Sequence, residues 1–249
     1  MNRIASAEQA RRLDAASVRL GVSVDALMAL AGFQCARLAR RILGEGGETP
    51  PLAVLAGRGN NGADALGGAR HLAAWGHRVR AVALGELTDQ EGIYAKQARA
   101  AAASGVDLRR GGDDLAGVLE WALDGAALVI DGLLGTGSAG APRGTTSEAI
   151  RLINESATAV LAIDLPSGLD ATSGERAGTC VRADDTLMLA IAKSGCVAAT
   201  ARAWAGRLWL ADIGVPTAAY AEAGLKPPHL EGGEPTRFIP TDLSRLSRP

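Results

Sequence analysis

Histidine and cysteine are scarce in this chain, three of each, and aromatic residues make up only 3% of it. Cys35, Cys180 and Cys196 are widely spaced and contain no C-x-x-C pair. That argues against a disulfide framework and a thiolate zinc site, and it suits reduced thiols in a cytoplasmic protein. His71, His77 and His229 do not supply a Ser-His-Asp arrangement. A formal net charge of −1 leaves no basic surplus for a phosphate backbone. With so few aromatics to stack bases, no nucleic-acid partner is expected. No apolar run is long enough for a membrane span, and the opening MNRIASAEQARRLDAA lacks the apolar stretch of a signal peptide.

What is present is ordinary globular composition, 47% hydrophobic and 21% charged over 249 residues, enough for one large core. Ser6 with Gln9 reads as a capping box opening a helix to about Leu20, and a second helix is expected from Ser23 to Leu43. A Gly/Pro linker, 44–51, follows. From there strands and helices alternate. Strands are expected at 52–56, 79–84, 126–131, 159–164, 184–190 and 206–214. Helices are expected at 63–76, from a Thr88/Glu91 cap to Ser104, at 113–123 and at 145–156. The strands are short apolar runs rather than alternating patterns, as in a parallel sheet covered on both faces. The fold class expected is α/β: a Rossmann-like three-layer sandwich with a doubly wound, mostly parallel sheet and two added N-terminal helices. One domain is expected over 1–226, with 227–249 a loosely packed tail.

In such a sheet ligands bind beyond the carboxyl ends of the strands. Three expected strands end there in unusual loops: GRGNNGAD from 57, DGLLGTGSAGAPRG from 131 and DLPSGLDATSG from 164. Each carries glycines, which let backbone approach a ligand, and each carries an aspartate: Asp64, Asp131 and Asp164. GRGNNG matches the dinucleotide fingerprint, but its two asparagines and Asp64 exceed what a pyrophosphate turn needs. Asn61, Asp131 and Ser167 form an oxygen-only ligand set with one carboxylate, better suited to a monovalent than a divalent cation. The alternative is that Asn61 caps a helix, Asp131 accepts backbone N–H groups and Ser167 makes a turn. Chemistry here would rest on carboxylates or on Lys193, whose plainer reading is a surface lysine.

GRGNNGAD, DGLLGTG, AIDLPSGLDATSG, ADDTLMLAIAKSG and GRLWLADIGVP occur in this order, and the chain resembles the YjeF N-terminal family of NAD(P)H-hydrate epimerases. The resemblance implies an isomerase that interconverts the R and S forms of hydrated NADH and NADPH in nicotinamide nucleotide repair. It implies a homodimer working beside a separate dehydratase, since the chain is expected to end before a fused second domain. It implies substrate contacts from Asn60, Asn61, Gly62, Ala63 and Asp64, from the loop Gly135, Thr136, Gly137, Ser138, Ala139, Gly140 and Ala141, and from Asp164. It also implies potassium on Asn61, Asp131 and Ser167. Asp164 is the expected acid/base. Asp131 is less suited, because a carboxylate holding a cation favours its ionised form. The chain departs from the family pattern at Ala63 and Ala65, where glycines are usual, and at Ala29 and Leu30 in LMALAG. Extra methyls at the loop are expected to narrow the pocket. These departures motivate a rival reading, a non-catalytic nucleotide-binding or scaffolding module. A second rival, an NAD-dependent oxidoreductase, would use Glu86 as its ribose-binding acid.

Overall fold

The computed structural model describes residues 2–44, 50–85, 92–230 and 233–239. A two-residue strand, β1 (Ile4–Ala5), leads into α1 (Ala7–Arg19) and α2 (Val24–Leu43). Then come β2 (Leu52–Ala56), α3 (Asn60–Ala74), β3 (Val79–Ala83), α4 (Ile93–Ala103), β4 (Asp107–Arg110), α5 (Leu115–Leu123) and β5 (Leu128–Gly132). The second half runs α6 (Gly144–Glu155), β6 (Val160–Ile163), β7 (Asp185–Leu189), β8 (Ala192–Lys193), α7 (Ser194–Val197), α8 (Arg202–Ala205), β9 (Arg207–Ala211), α9 (Thr217–Glu222) and β10 (Thr236–Arg237).

The main sheet has eight strands in the order β10-β9-β7-β6-β5-β2-β3-β4, parallel except where β10 meets β9. The chain walks outward from β2 through β3 to β4, then returns to β5 on the other side of β2. The β2/β5 junction is therefore the topological switch point, where open α/β sheets place their ligands. Alternate residues of β2 enter different cores: Leu52, Val54 and Ala56 join the face covered by α1 to α4 and α9, while Ala53 and Leu55 join the face covered by α5 and α6. Both faces are dry, which is why these strands read as unbroken apolar runs.

The two added helices start where their caps dictate. Ser6 and Gln9 form a complete capping box, and the Ser23 side chain accepts from the Ala26 N–H. α2 lies against α3 so closely that a Cβ at Gly32 would come within 2.8 Å of the Gly67 backbone. α3 begins at Asn60, three residues before the expected start at Ala63, so Asn60, Asn61 and Gly62 form its first turn and not a loop. Gly62 permits this: a Cβ there would stand 1.9 Å from the Gly57 carbonyl oxygen.

Two further differences from expectation are local. β4 is an edge strand of sequence DLRR, too charged to read as sheet. Residues 233–239 are not a loose tail, because Thr236 and Arg237 pair antiparallel with Leu210 and Trp209, and Gln34 Nε2 donates to the Gly233 carbonyl at 2.8 Å. The Thr88/Glu91 cap lies outside the described residues; α4 starts at Ile93 behind Gly92. A second, two-stranded sheet pairs β1 with β8, setting Ala5 beside Lys193. That pairing fixes α1 over the carboxyl ends of the strands.

Candidate active site

A cavity of about 750 Å³ opens at the switch point. Its floor is the carboxyl rim of the sheet, and its roof is α1 with the first turns of α2, which contribute Leu13, Val18, Val24, Leu27 and Met28. Asn60, Asn61, Asp64, Gly135, Thr136, Gly137, Ser138 and Asp164 all line it, so the three glycine loops meet in one place. Other expected substrate contacts fall elsewhere. Gly62 and Ala63 do not line this cavity; Ala63 is fully buried in the helical core. Ala139 and Gly140 line a small pocket behind the loop, and Ala141 lies against Gly178.

The extra methyls do not narrow the cavity. The Ala65 methyl faces the Gly132 backbone, where a Cβ on Gly132 would meet it at 2.4 Å. Ala29 and Leu30 are solvent-exposed and do not line the cavity. The observations that motivated a non-catalytic reading therefore concern packing and surface, not the site. Glu86 lies outside the described residues.

Asp164 follows β6 with φ of 69°, one of two non-glycine residues with positive φ among the described residues. Left-handed backbone costs an aspartate about 1–2 kcal/mol, and such outliers gather at functional sites. The turn aims the carboxylate into the rim. Asp164 Oδ2 accepts from the Thr136 N–H at 2.9 Å and from Thr136 Oγ1 at 2.6 Å, while Oδ1 lies 2.5 Å from Lys193 Nζ. Lys193 is only 3% exposed, so the surface-lysine reading does not hold. Its ammonium also donates to the Leu189 carbonyl at 2.7 Å. Burial works against the charged form of Asp164. The Lys193 charge and the bonds from Lys193 and Thr136 outweigh it and hold the carboxyl below its ordinary range.

Two other carboxylates share the cavity and behave in the opposite way. Asp64, 8% exposed, is pushed well above the ordinary range by burial and then by the nearby Asp164 and Asp14. Asp14, on α1, is pushed up to about 6 by desolvation of its carboxyl and by Asp164, with Lys193 opposing. Asp14 is reached by solvent at the cavity mouth, so screening weakens its shift more than that of Asp64. The role of Asp14 was not legible in the sequence, because nothing there says which face of an added helix covers the rim.

Asp131, Ser167 and Asn61 do converge. Asp131, fully buried, accepts from the Ser167 N–H, Ser167 Oγ and the Leu133 N–H at 2.9, 2.6 and 3.1 Å. Ser167 Oγ in turn accepts from the Leu134 N–H at 2.8 Å, and Asn61 Nδ2 donates to the Leu134 carbonyl at 2.9 Å. Asn61 makes no cap; α3 has Gly59 at that position and no side-chain cap bond. Burial pushes Asp131 up to about 6 against those hydrogen bonds. Among the described residues no Lys, Arg or His pairs with it, so a cation would supply a missing countercharge. No group of three or more His, Cys, Asp or Glu side chains suited to a metal occurs among the described residues. An oxygen set with one carboxylate fits a monovalent ion.

Among the described residues no helix is long and apolar enough to cross a membrane. A protein of Dehalogenimonas lykanthroporepellens named NAD(P)H-hydrate epimerase is 36% identical over 217 residues, covering 87% of this chain and 84% of that one. A Hyperthermus butylicus protein named bifunctional NAD(P)H-hydrate repair enzyme Nnr is 38% identical over 217 residues, covering 85% of this chain but 38% of its own. The crystal structure of the yeast protein YNL200c superposes with a TM-score of 0.83 at 18% identity, covering 94% of this chain and 99% of that one, which establishes the Rossmann-like three-layer fold. Residues 24–195 match the family model described as YjeF-related protein N-terminus, and the chain belongs to that family.

Proposed function

We propose that this protein is an isomerase that interconverts the R and S epimers of hydrated NADH and NADPH. One observation carries the reading: the switch-point cavity gathers an ionised carboxylate, a buried lysine and a neutral-leaning carboxyl beside loops able to hold a dinucleotide. Epimerisation is reversible proton chemistry, and the site contains proton-transfer groups of opposite character.

In this reading Gly137, Ser138 and Thr146 face the substrate's phosphates. Among the described residues the Gly137 N–H has no partner, whereas the Thr136 N–H is committed to Asp164 and the Ser138 N–H to the Gly135 carbonyl. Asn60 orients the ligand at the helix start, where N–H groups favour anions. Asp164 acts as acid/base on the hydrated ring, starting as a base because Lys193 and Thr136 keep it ionised. Asn61, Asp131 and Ser167 hold potassium, which would neutralise Asp131 and fix the Gly135 loop. A homodimer, a cytoplasmic setting and a separate or fused dehydratase as partner go with this reading. The three buried, unpaired cysteines are in keeping with a reducing setting.

The test is NMR magnetisation exchange between the two hydrate epimers. The protein should speed exchange well beyond the spontaneous rate, in both directions, without net hydride transfer. Exchange at the spontaneous rate overturns the epimerase reading. A change in nicotinamide absorbance that needs a second substrate would point to an oxidoreductase instead.

A further inference from the structure

Asp14 from α1, Asp64 from α3, Asp164 after β6 and Lys193 from β8 act on one another in the cavity, whose lining also carries Arg11 and Arg58, the latter donating to the Leu84 carbonyl at 3.0 Å. Asp164 and Lys193 satisfy each other. Asp64 is different. It is more than nine-tenths buried, it lines the cavity, and its carboxyl has no hydrogen-bond or ion-pair partner among the described residues.

An ionised carboxylate in that position would be a buried charge without compensation, which proteins avoid by neutralising the group. The charges that act on Asp64 are those of Asp164, Asp14 and Lys193. Asp164 and Asp14 are anionic and oppose ionisation. Lys193 favours it, but Asp164 at 2.5 Å already takes up that charge. Cys35, facing from α2, is a fully buried thiol whose own pKa rises, so it brings no charge. The α3 N-terminus favours an anion only within its first turn, and Asp64 is the helix's fifth residue. A neutral carboxyl has one O–H to donate, and among the described residues no protein group receives it. The acceptor left for it is whatever occupies the cavity.

We propose that Asp64 is the catalytic acid of this site, donating its proton to the ring nitrogen of the bound hydrate while Asp164 takes the hydroxyl proton. The inference rests on the epimerase reading and deepens it. Hydrating an enamine double bond leaves the hydroxyl on the carbon bonded to nitrogen. Asp164 removes the hydroxyl proton, and that oxygen's electron pair forms a carbonyl. The carbon–nitrogen bond breaks, its electron pair goes to nitrogen, and nitrogen takes the Asp64 proton. Rotation turns the other carbonyl face to the nitrogen. The nitrogen then adds back, its proton returns to Asp64 and the oxygen regains the proton held by Asp164. No atom is gained or lost, and nothing is oxidised or reduced; only the configuration changes.

Two measurements test this. First, the ligand-free protein carrying carbon-13 aspartate is titrated by NMR, with Asp64 assigned by the resonance missing in Asp64→Asn. The Asp64 carboxyl should remain in its protonated position at neutral pH while Asp164 remains ionised. An Asp64 carboxylate ionised at neutral pH overturns the proposal whatever the protein catalyses. Second, Asp64→Asn should slow epimer exchange by at least about 10²-fold and remove the alkaline limb of its pH profile, with hydrate binding retained and Asp64→Glu partly active. Exchange at the wild-type rate in Asp64→Asn overturns the acid role alone. A wild-type protein that does not exchange the epimers overturns the epimerase reading, and the acid role with it, even where the Asp64 carboxyl is neutral.

Discussion

Lys193 and Asp164 form a buried ion pair, Nζ to Oδ1 2.5 Å, between a strand of the small sheet and a left-handed turn after β6. The lysine is on the chain segment that anchors α1, so one contact joins the roof of the cavity to its floor. It also determines which form Asp164 takes, since a carboxylate this buried stays charged only with a countercharge beside it.

Removing that countercharge should therefore harm folding and chemistry together. Lys193→Met should lower stability by about 3–5 kcal/mol, because it leaves an uncompensated buried carboxylate. The double variant Lys193→Met with Asp164→Asn should recover much of the loss. A double-mutant cycle from denaturant melts checks this; additive losses would show that the two residues do not interact.

Gly135 stands where a Cβ would come 3.1 Å from the Asn61 side chain. Gly135→Val should displace Asn61 and the loop, raising KM for the hydrate about tenfold or more while the melting temperature falls only slightly. Gly137→Val should also raise KM, but through the cavity itself, since no atom lies within 4 Å of a Cβ there. Steady-state kinetics with thermal melts distinguish the two outcomes from unfolding.

Binding of a monovalent cation to Asn61, Asp131 and Ser167 would stabilise the fold by mass action, about 2.7 kcal/mol at a hundred times its dissociation constant. Potassium, but not a bulky ammonium ion, should raise the melting temperature of wild type, and Ser167→Ala should weaken that rise. An equal response to both ions would make the effect general ionic strength. Thallium exchange in crystals should place an anomalous peak among these three residues.

The sheet was legible because its strands are buried on both faces. LAVLA at 52–56, LVI at 128–130 and VLAI at 160–163 are apolar for that reason. β4 was not legible, since an edge strand answers to solvent and carries DLRR. Asn61, Asp131, Ser167 and Asp164 were legible as candidates because glycine loops at strand ends have a fixed place in this fold. Asp14 was not, because its place depends on the β1–β8 pairing of four residues. Nor was the contrast between Asp64 and Asp164. Both are aspartates beside glycine turns, and only the Thr136 and Lys193 contacts separate them.

A purely structural carboxylate gives a control. Asp185 Oδ1 accepts from Trp209 Nε1 at 2.7 Å and from Arg207 Nε at 2.8 Å, far from the cavity lining. Asp185→Ala leaves the largely buried Trp209 N–H without its acceptor, and should cost about 1–3 kcal/mol. Arg207 is mostly exposed and adds little. Epimer exchange per folded molecule should be unchanged.

The opposite shifts of Asp64 and Asp164 predict opposite pH dependences of stability. The folded protein holds a proton on Asp64 that the unfolded chain releases near the ordinary carboxyl value of about 3.9. The contribution of Asp64 to stability is therefore fully present below that value and is lost as pH rises through its folded pKa. Asp164 is the reverse: its contribution is present above about 3.9 and is lost as pH falls through its depressed folded pKa. Asp64→Asn cannot ionise, so it should melt above wild type in alkaline solution, with the difference closing as pH falls. Asp164→Asn should melt below wild type at neutral pH, because Lys193 then lacks its partner, with the difference closing in acid. Melting curves from about pH 3 to about pH 9 decide the matter. Parallel curves for wild type and Asp64→Asn would mean that Asp64 ionises as freely in the folded protein as in the unfolded chain, and the division of the site into a neutral acid and a charged base would fail.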